Sequence, residues 1–312
     1  MRHPLRSSVF AVAALAALSG RAAAEPPTVV ASITPVYSLV AAVMDGVGQP
    51  TGLLPPGASP HSYALKPSQA RMLSQADLVF WVGPGLEGFL NQALDGLTNT
   101  AHVMALHDAA GVVRLKARAG GVWNDADKDG HDHDHDHEGE SFDAHVWLDP
   151  RNARAWTTAI AERLAATDPA NADAYRRNAA ATLTRLASLE KTLAERLEPV
   201  KEISYLVFHD AYQYFEHRFG LTPAGAVSVS PEHVPGARRV AELRALVRDR
   251  NAVCVFSEPQ FQPRLVQVVV EGTEAKADIL DPLGSAHAPG PDHYFLMMQD
   301  LAEALVRCLK RP

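Results

Sequence analysis

Four side chains that can bind a metal ion stand where a short apolar run gives way to a turn. His61 lies in "PPGASPHSYALKPSQ", His145 in "DAHVWLDP", His209 directly after "ISYLVF", and Asp281 at the end of "ADILD". In open α/β sheets, ligands bind at the carboxyl ends of the strands, so the four junctions can face one cleft. Three imidazoles and a carboxylate suit a tetrahedral Zn²⁺ ion. The pattern therefore predicts a metal site made of these four residues.

Glu258, in "FSEPQF", ends another strand-like run and can face the same cleft. We predict that it accepts a hydrogen bond from a metal-bound histidine, the alternative being an ordinary loop carboxylate. His217 lies in a predicted helix and His293 at a predicted helix start, where capping or exposure is expected. No metal role is predicted for the histidines that lack a comparable position, which are His102, His107, His217, His233, His287 and His293.

A second metal-binding feature is the stretch "DADKDGHDHDHDHEGES", residues 125–141. Its histidines alternate with aspartates and are His131, His133, His135 and His137. Such a composition cannot bury enough apolar surface to order itself, so residues 117–141 are expected to form a mobile loop. A flexible run pays an ordering cost for each arrangement around an ion, so we predict weak auxiliary binding that concentrates metal beside the tight site. A solvated loop without a metal role is the alternative.

The elements that must position these residues follow an α/β rhythm, which predicts parallel sheets covered by helices. The strand-like runs are residues 28–33, 51–55, 78–83, 102–106, 203–208, 252–257 and 277–281. They divide into two Rossmann-like lobes, residues 25–168 and 200–312. Between them, residues 170–198 contain neither Gly nor Pro and carry apolar side chains at a helical period, which predicts one long rigid helix over 169–199. We interpret this helix as a strut that joins the lobes; a core helix of one large domain is the alternative.

The first 24 residues have the order of a secretory signal peptide. Arg2 and Arg6 precede the apolar run 9–18, and three alanines precede Glu25. Removal of this segment would take the formal charge from −7 to −10, because three arginines and no acids are lost. An acidic mature chain argues against nucleic acid or an anionic membrane as partners. The expected location is the periplasm, without a membrane anchor.

The two cysteines, Cys254 and Cys308, lie in a predicted strand and in the last predicted helix. Export into an oxidising compartment permits a disulfide between them. A bridge would tie the C-terminus to the sheet, whereas two buried free thiols are the alternative.

Six motifs together resemble, in the same order, those of the zinc-binding periplasmic component of ABC-type zinc uptake transporters, the ZnuA type. They are "PGASPHSYALKPSQ", "HVWLDP", "FHDAYQYF", "SPEHVPGARR", "SEPQF" and "DPLG". The resemblance implies two α/β lobes bridged by one rigid helix, with the metal between the lobes. Carried over by motif, the metal histidines fall on His61, His145 and His209, and the fourth position falls on Asp281.

The resemblance also implies the function: capture of Zn²⁺ and delivery to a membrane permease, by a protein expected to be a monomer. A periplasmic zinc chaperone is a second candidate partner. The disulfide of the family matches Cys254 and Cys308, and an acidic His-rich loop is a feature of its zinc members. One position departs from the pattern, because Pro60 stands where zinc members often have Glu. Asp281 or a water must therefore complete the metal shell, and we favour Asp281.

Other functions fit parts of the pattern. A binder of Mn²⁺ or another divalent metal in the same family is one, although the related manganese binders have a carboxylate in place of the third histidine, here His209. A periplasmic zinc buffer or chaperone would carry the same site. A zinc hydrolase needs an open coordination position, which Asp281 would close, and the chain has no His-Glu-x-x-His motif. We therefore expect no enzyme.

Overall fold

The computed structural model describes residues 25–96, 102–118, 121–123, 142–228 and 236–310. Two four-stranded sheets form the frame, and every pair of neighbouring strands in them is parallel. Helices surround both sheets, so the predicted α/β class with two parallel sheets is confirmed.

The first sheet has the strand order β2-β1-β3-β4. Its strands are β1 Val29–Ala31, β2 Thr51–Gly52, β3 Leu78–Trp81 and β4 His102–Ala105. Helices α1 Thr34–Val43, α2 Pro67–Ser74, α3 Asn91–Asp95 and α4 Pro150–Thr167 accompany it. β1 and β3 are buried along their whole length, as expected of central strands in a parallel sheet. Because a proline fits the first turn of a helix, Pro35 and Pro67 mark where α1 and α2 begin.

The second sheet repeats this topology with the order β6-β5-β7-β8. Its strands are β5 Tyr205–Val207, β6 Pro223–Ala226, β7 Cys254–Ser257 and β8 Lys276–Ile279. The helices of this part are α6 Gln213–Phe219, α7 Ala237–Asp249, α8 Arg264–Val270 and α9 His293–Leu309. The sequence analysis missed β6, whose residues "PAGA" have little strand propensity. It forms because it pairs with β5 at the edge of the sheet.

The long central helix is α5, Ala172–Leu197, and 3₁₀ turns at both ends extend it into one helical run of 32 residues. This run links the two lobes, as predicted. It packs against α1 and α4 on one side and α9 on the other, so it also contributes to the core. On this helix Leu183 is only partly buried, whereas Thr182 is buried and donates its hydroxyl to the Asn178 carbonyl at 2.9 Å.

Direct contacts tie the two sheets together around the cleft. Asp149 caps the start of α4 and accepts two hydrogen bonds from Arg218 of α6, at 2.8 and 2.7 Å. The Trp147 indole donates to the Pro282 carbonyl at 2.8 Å, and the Tyr294 hydroxyl donates to the Trp147 carbonyl at 2.7 Å. One cluster of buried apolar side chains includes residues of both sheets. These contacts therefore hold the two sides of the cleft in a fixed position relative to each other.

The disulfide between Cys254 and Cys308 is present, with Cα atoms 6.2 Å apart, which confirms that prediction. It joins β7 to α9 across a separation of 54 residues. A crosslink over this span stabilises the fold by about 4 kcal/mol in the chain-entropy model.

Within the described residues, none of the helices combines the length and the apolar character needed to cross a bilayer. The predicted signal peptide, residues 1–24, lies outside the described part of the chain.

Candidate metal centre

The side chains of His61, His145 and His209 meet between the two sheets. Their Nε2 atoms converge: the His61–His145 distance is 3.2 Å and the His209–His145 distance is 3.3 Å. Among the described residues, these three histidines form the group whose ligand atoms all lie within 4.8 Å of one another. Two nitrogen ligands of a tetrahedral Zn²⁺, each about 2.05 Å from the ion, lie about 3.3 Å apart. The two observed Nε2–Nε2 distances match this ligand-to-ligand distance.

His145 is held by Asp143, a residue that the sequence analysis did not single out. Asp143 Oδ1 accepts hydrogen bonds from the His145 backbone N–H at 2.9 Å and from Nδ1 at 2.7 Å. Both residues are buried, so solvent does not compete for these bonds. A carboxylate two residues before a histidine, in "DAH", was the available signal. The contact fixes the ring and its tautomer, with the proton on Nδ1 and a lone pair on Nε2.

His209 is held in the same way by Glu258. His209 follows β5 and Glu258 follows β7, and these strands are neighbours in the second sheet. Their carboxyl ends therefore bring the two side chains together, and His209 Nδ1 donates to Glu258 Oε1 at 2.6 Å. Both residues are almost completely buried. This is the contact that the sequence predicts for Glu258.

His61 differs from its two partners. It lies in the turn after β2, is only partly buried, and its backbone N–H donates to Ser59 Oγ at 3.3 Å. Among the described residues, no carboxylate accepts a hydrogen bond from its Nδ1. Its position among the other two rings comes from the loop and from ring contacts with centroids 5.2 and 5.4 Å away.

The electrostatics of the cluster favour a cation. Burial, followed by the neighbouring imidazoles, lowers the pKa of His61 to about 2. Burial, followed by His209, lowers the pKa of His145 to about 3. Burial also acts to lower the pKa of His209, but Glu258 outweighs it and the net shift is upward. When both rings are neutral, the carboxylates hold the Nδ1 protons of His145 and His209, so their Nε2 lone pairs face each other at 3.3 Å, a repulsion that a shared metal ion relieves.

Space at the cluster suits one small occupant. A cavity of ≈ 10 Å³ is lined by the three histidines, by Glu258 and by Gln260, among others. A cavity of about 10–15 Å³ holds about one water. The site therefore has room for about one water-sized occupant, such as a small metal ion.

Asp281, the predicted fourth ligand, is near this cavity but outside the three-histidine group. Its Oδ1 accepts from Gln260 Nε2 at 2.8 Å and from the Leu283 N–H at 3.0 Å. Its Oδ2 accepts from the Ser285 N–H at 2.6 Å and from Ser285 Oγ at 2.5 Å. The carboxylate is thus occupied by its own loop and by Gln260, and its ligation of metal stays a prediction.

The predicted His-rich loop is described only at its start. Trp123 N–H donates to the Ala224 carbonyl at 3.1 Å, and Val122 forms an isolated bridge with Gly225. Arg118 stacks 3.6 Å from the Trp123 ring and pairs with Asp210 and Glu216. Through these contacts, the described start of the loop packs against the second sheet, close to His209. The histidines of the loop, at 131, 133, 135 and 137, lie outside the described residues.

The remaining histidines divide into structural and surface residues. His107 Nδ1–H donates to the Val82 carbonyl at 2.8 Å, and His293 Nε2–H donates to the Leu283 carbonyl at the same distance. Both are buried, so the expectation that His293 caps a helix or is exposed is wrong: its ring fills the core at the start of α9. His102 and His217 are exposed, and His287 pairs with Asp300. His233 lies outside the described residues.

Comparison with known proteins adds independent findings. A family model described as "ZnuA: Zinc-uptake complex component A periplasmic" matches residues 29–308. The high-affinity zinc uptake system protein ZnuA of Brucella suis is 43% identical, over 98% of this chain and 99% of the relative. The protein of that name from Yersinia pestis is 39% identical, over 90% of this chain and 91% of its own length.

Solved structures share the fold. A crystal structure of a ZnuA protein has a TM-score of 0.77, covers 91% of this chain and matches over 100% of its own length, at 24% identity. The periplasmic zinc-binding protein TroA from Treponema pallidum has a TM-score of 0.75, with 92% and 100% coverage, at 21% identity. At such identities the likeness shows the two-lobed architecture, and the site rests on the geometry above.

Proposed function

The chain belongs to the ZnuA family of periplasmic zinc-uptake components, and on this premise we propose that it captures Zn²⁺ and delivers it to the membrane permease of an ABC transporter. The relatives at 43% identity are named for high-affinity zinc uptake. We assign the site to transport and propose no catalytic role for it. Zinc is the cargo of the protein, so the site must bind it tightly and also let it go.

The observation that carries the proposal is the convergence of three imidazoles, with two Nε2–Nε2 distances of 3.2 and 3.3 Å that match the spacing of two ligands on a tetrahedral zinc ion. We propose that His61, His145 and His209 are the zinc ligands, with Asp143 and Glu258 orienting two of them. Three nitrogen ligands favour Zn²⁺ over Mn²⁺, which prefers more oxygen donors. A fourth donor, Asp281 or a water, completes the shell.

The remaining sequence predictions become parts of the same proposal. Residues 1–24 direct export to the periplasm and are removed, and the mature protein acts as a monomer with lobes 25–168 and 200–312 joined by the helix over 169–199. The histidines at 131, 133, 135 and 137 bind zinc weakly and raise its concentration near the cleft. A periplasmic zinc chaperone is a further candidate donor of the ion.

Release requires that the site opens at its least constrained part. The contacts of Asp149 with Arg218, and of Trp147 with Pro282, brace the lobes, so we propose a small local opening rather than wide lobe closure. His61 lies on a turn outside this bracing and has no carboxylate partner among the described residues. Permease docking that displaces this turn would remove one of the three nitrogen ligands.

Complementation tests the proposal. A strain that lacks the gene is grown with a zinc chelator and supplied with the wild-type chain, a His209→Ala variant or a His217→Ala variant. We expect the wild-type and His217→Ala chains to restore growth, because His217 is exposed on α6, and we expect His209→Ala to fail. Equal growth with His209→Ala, at equal protein level, would contradict the proposal.

A further inference from the structure

Gln260 stands beside the three histidines, with one end of its side-chain amide bonded and the other end without a partner among the described residues. It lies two residues after Glu258 and lines the small cavity together with the three histidines. Its Nε2 donates to Asp281 Oδ1 at 2.8 Å. A carboxylate only accepts hydrogen bonds here, so the amide nitrogen must face Asp281 and Oε1 must point away from it. Oε1 is buried, and no hydrogen-bond donor reaches it from the described residues.

Asp281 is well placed to hold this amide. Four hydrogen bonds reach its carboxylate, one of them from Gln260 and the others from Leu283 and Ser285. The carboxylate is therefore fixed by backbone N–H groups, and it fixes Gln260 in turn. Such outer contacts commonly orient the groups around a metal ion.

A buried acceptor without a donor is costly, at about 1–3 kcal/mol, unless something satisfies it. Three histidines leave one position of a tetrahedral zinc ion open. Gln260 lines the same small cavity as the three histidines, so it is a neighbour of that open position. A zinc-bound water would fill the open position on the ion, and it has two protons, one of which can be donated to Gln260 Oε1.

We propose that Gln260 is a specificity-determining residue of the site, whose Oε1 accepts a hydrogen bond from the water that completes the zinc shell. Asp281 is then a positioning residue that acts through Gln260. This inference rests on the proposed function, because it requires zinc on the three Nε2 atoms. It also assigns selectivity: one held water in a small cavity favours a four-coordinate ion over Mn²⁺, which takes more oxygen ligands.

Affinity measurements on the mature protein test the proposal. Competition titration with zinc chelators compares Gln260→Leu, Gln260→Glu, Asp281→Ala and the double variant Gln260→Leu/Asp281→Ala with wild type. Gln260→Leu is expected to weaken zinc binding about 10- to 100-fold, the usual effect of losing such an outer partner. Gln260→Glu keeps an acceptor but loses the amide that donates to Asp281 and sets a second carboxylate against it, so its zinc affinity should fall between those of Gln260→Leu and wild type. Gln299→Leu, on the exposed side of α9, is the matched control and should change nothing.

The double variant separates the two roles. If Asp281 acts through Gln260, its loss adds little once Gln260 is already leucine, so the two effects are not additive. Additive losses would overturn the positioning role. If Gln260→Leu and wild type bind zinc with equal affinity, and thermal denaturation shows that both proteins are folded, the proposal as a whole is overturned.

A crystal structure of the zinc-loaded wild type gives the readout that a merely structural glutamine would not produce. We expect a water on zinc, about 2.6–3.0 Å from Gln260 Oε1. Direct ligation by Asp281, with Oε1 turned away, would overturn the inference while leaving the proposed function intact. Unchanged affinity in a His145→Ala variant would instead show that the proposed function itself had failed.

Discussion

The two sides of the metal centre are built differently. On one side, His145 and His209 are buried, and each donates a hydrogen bond from Nδ1–H to a carboxylate, at 2.7 and 2.6 Å. On the other side, His61 stands on a turn, is only partly buried, and has no such partner among the described residues. The pair of His145 and His209 is called the anchored side here, and His61 the open side.

The difference separates two requirements of a carrier. Rings that are fixed before the ion arrives lose little entropy on binding, which raises affinity. A ligand on a less constrained turn can leave without disturbing the braced lobes. In the proposed function, the anchored side would therefore provide tight capture, and the open side would provide exchange with solvent and permease.

The largest effect should come from removal of an anchored ligand. His209→Ala is expected to weaken zinc binding roughly 100- to 1000-fold, since structural zinc sites gain about 10–16 kcal/mol from four ligands together. Competition titration measures the change, with His217→Ala as the control. An affinity within a few-fold of wild type would remove His209 from the site.

The carboxylate partners come next. Glu258→Gln and Asp143→Asn should each weaken zinc binding about 10- to 100-fold, because the ring loses its charged acceptor. The matched control is Asp300→Asn. The Asp300 carboxylate also pairs with a histidine, His287, at 2.7 Å, but this pair is not part of the metal site, so the substitution should leave zinc affinity unchanged. If all three variants bind alike, the distinction between the two sides does not hold.

A moderate effect is expected from pH. The lowered pKa values of His61 and His145, about 2 and 3, keep both rings free for metal at neutral pH. His209 has a raised pKa, so a proton competes with zinc there and affinity falls as pH falls through that value. Burial raises the pKa of Asp143 to about 7, so this carboxyl can hold a second proton near neutral pH. That proton competes with zinc indirectly, because Asp143 binds the ring of His145 and not the ion.

The proton count is the measurable consequence. At about pH 5, zinc binding should release about one to two protons, rather than the nearly three expected of free histidines, whose pKa is about 6.5. Calorimetry in buffers of different ionisation enthalpy gives this number. Release of three protons would show that His61 and His145 are not protected from protonation.

The smallest effect on the tight site should follow deletion of residues 125–141. Only weak additional binding should disappear, while the affinity of the first zinc ion stays within about threefold, because the three ligands lie elsewhere. Stoichiometry and affinity are both obtained from one titration of the deletion variant beside wild type. A large loss of first-site affinity would place a ligand in the deleted segment.

Much of this arrangement was accessible from the sequence. Short apolar runs that alternate with helical patterns located seven of the eight described strands, and the absence of Gly and Pro in 170–198 located α5. The three histidines were identifiable because each follows a strand-like run or stands beside one. β6 was missed because its residues carry no strand signal and pairing with β5 alone makes it a strand.

The contacts that tune the site were less accessible. Asp143 stands two residues before His145, and this spacing is only a weak signal that its side chain turns back onto the ring. Gln260 and Asp281 meet across 21 residues, and Arg118 and Asp210 across 92. Such pairings between polar side chains have no period, so only the folded chain reveals them.

The most direct measurement is anomalous diffraction at the zinc absorption edge from crystals of the zinc-loaded protein. The account predicts one strong peak about 2.0–2.1 Å from the Nε2 atoms of His61, His145 and His209. A zinc ion bound by other side chains, with His145 and His209 turned away from each other, would contradict it.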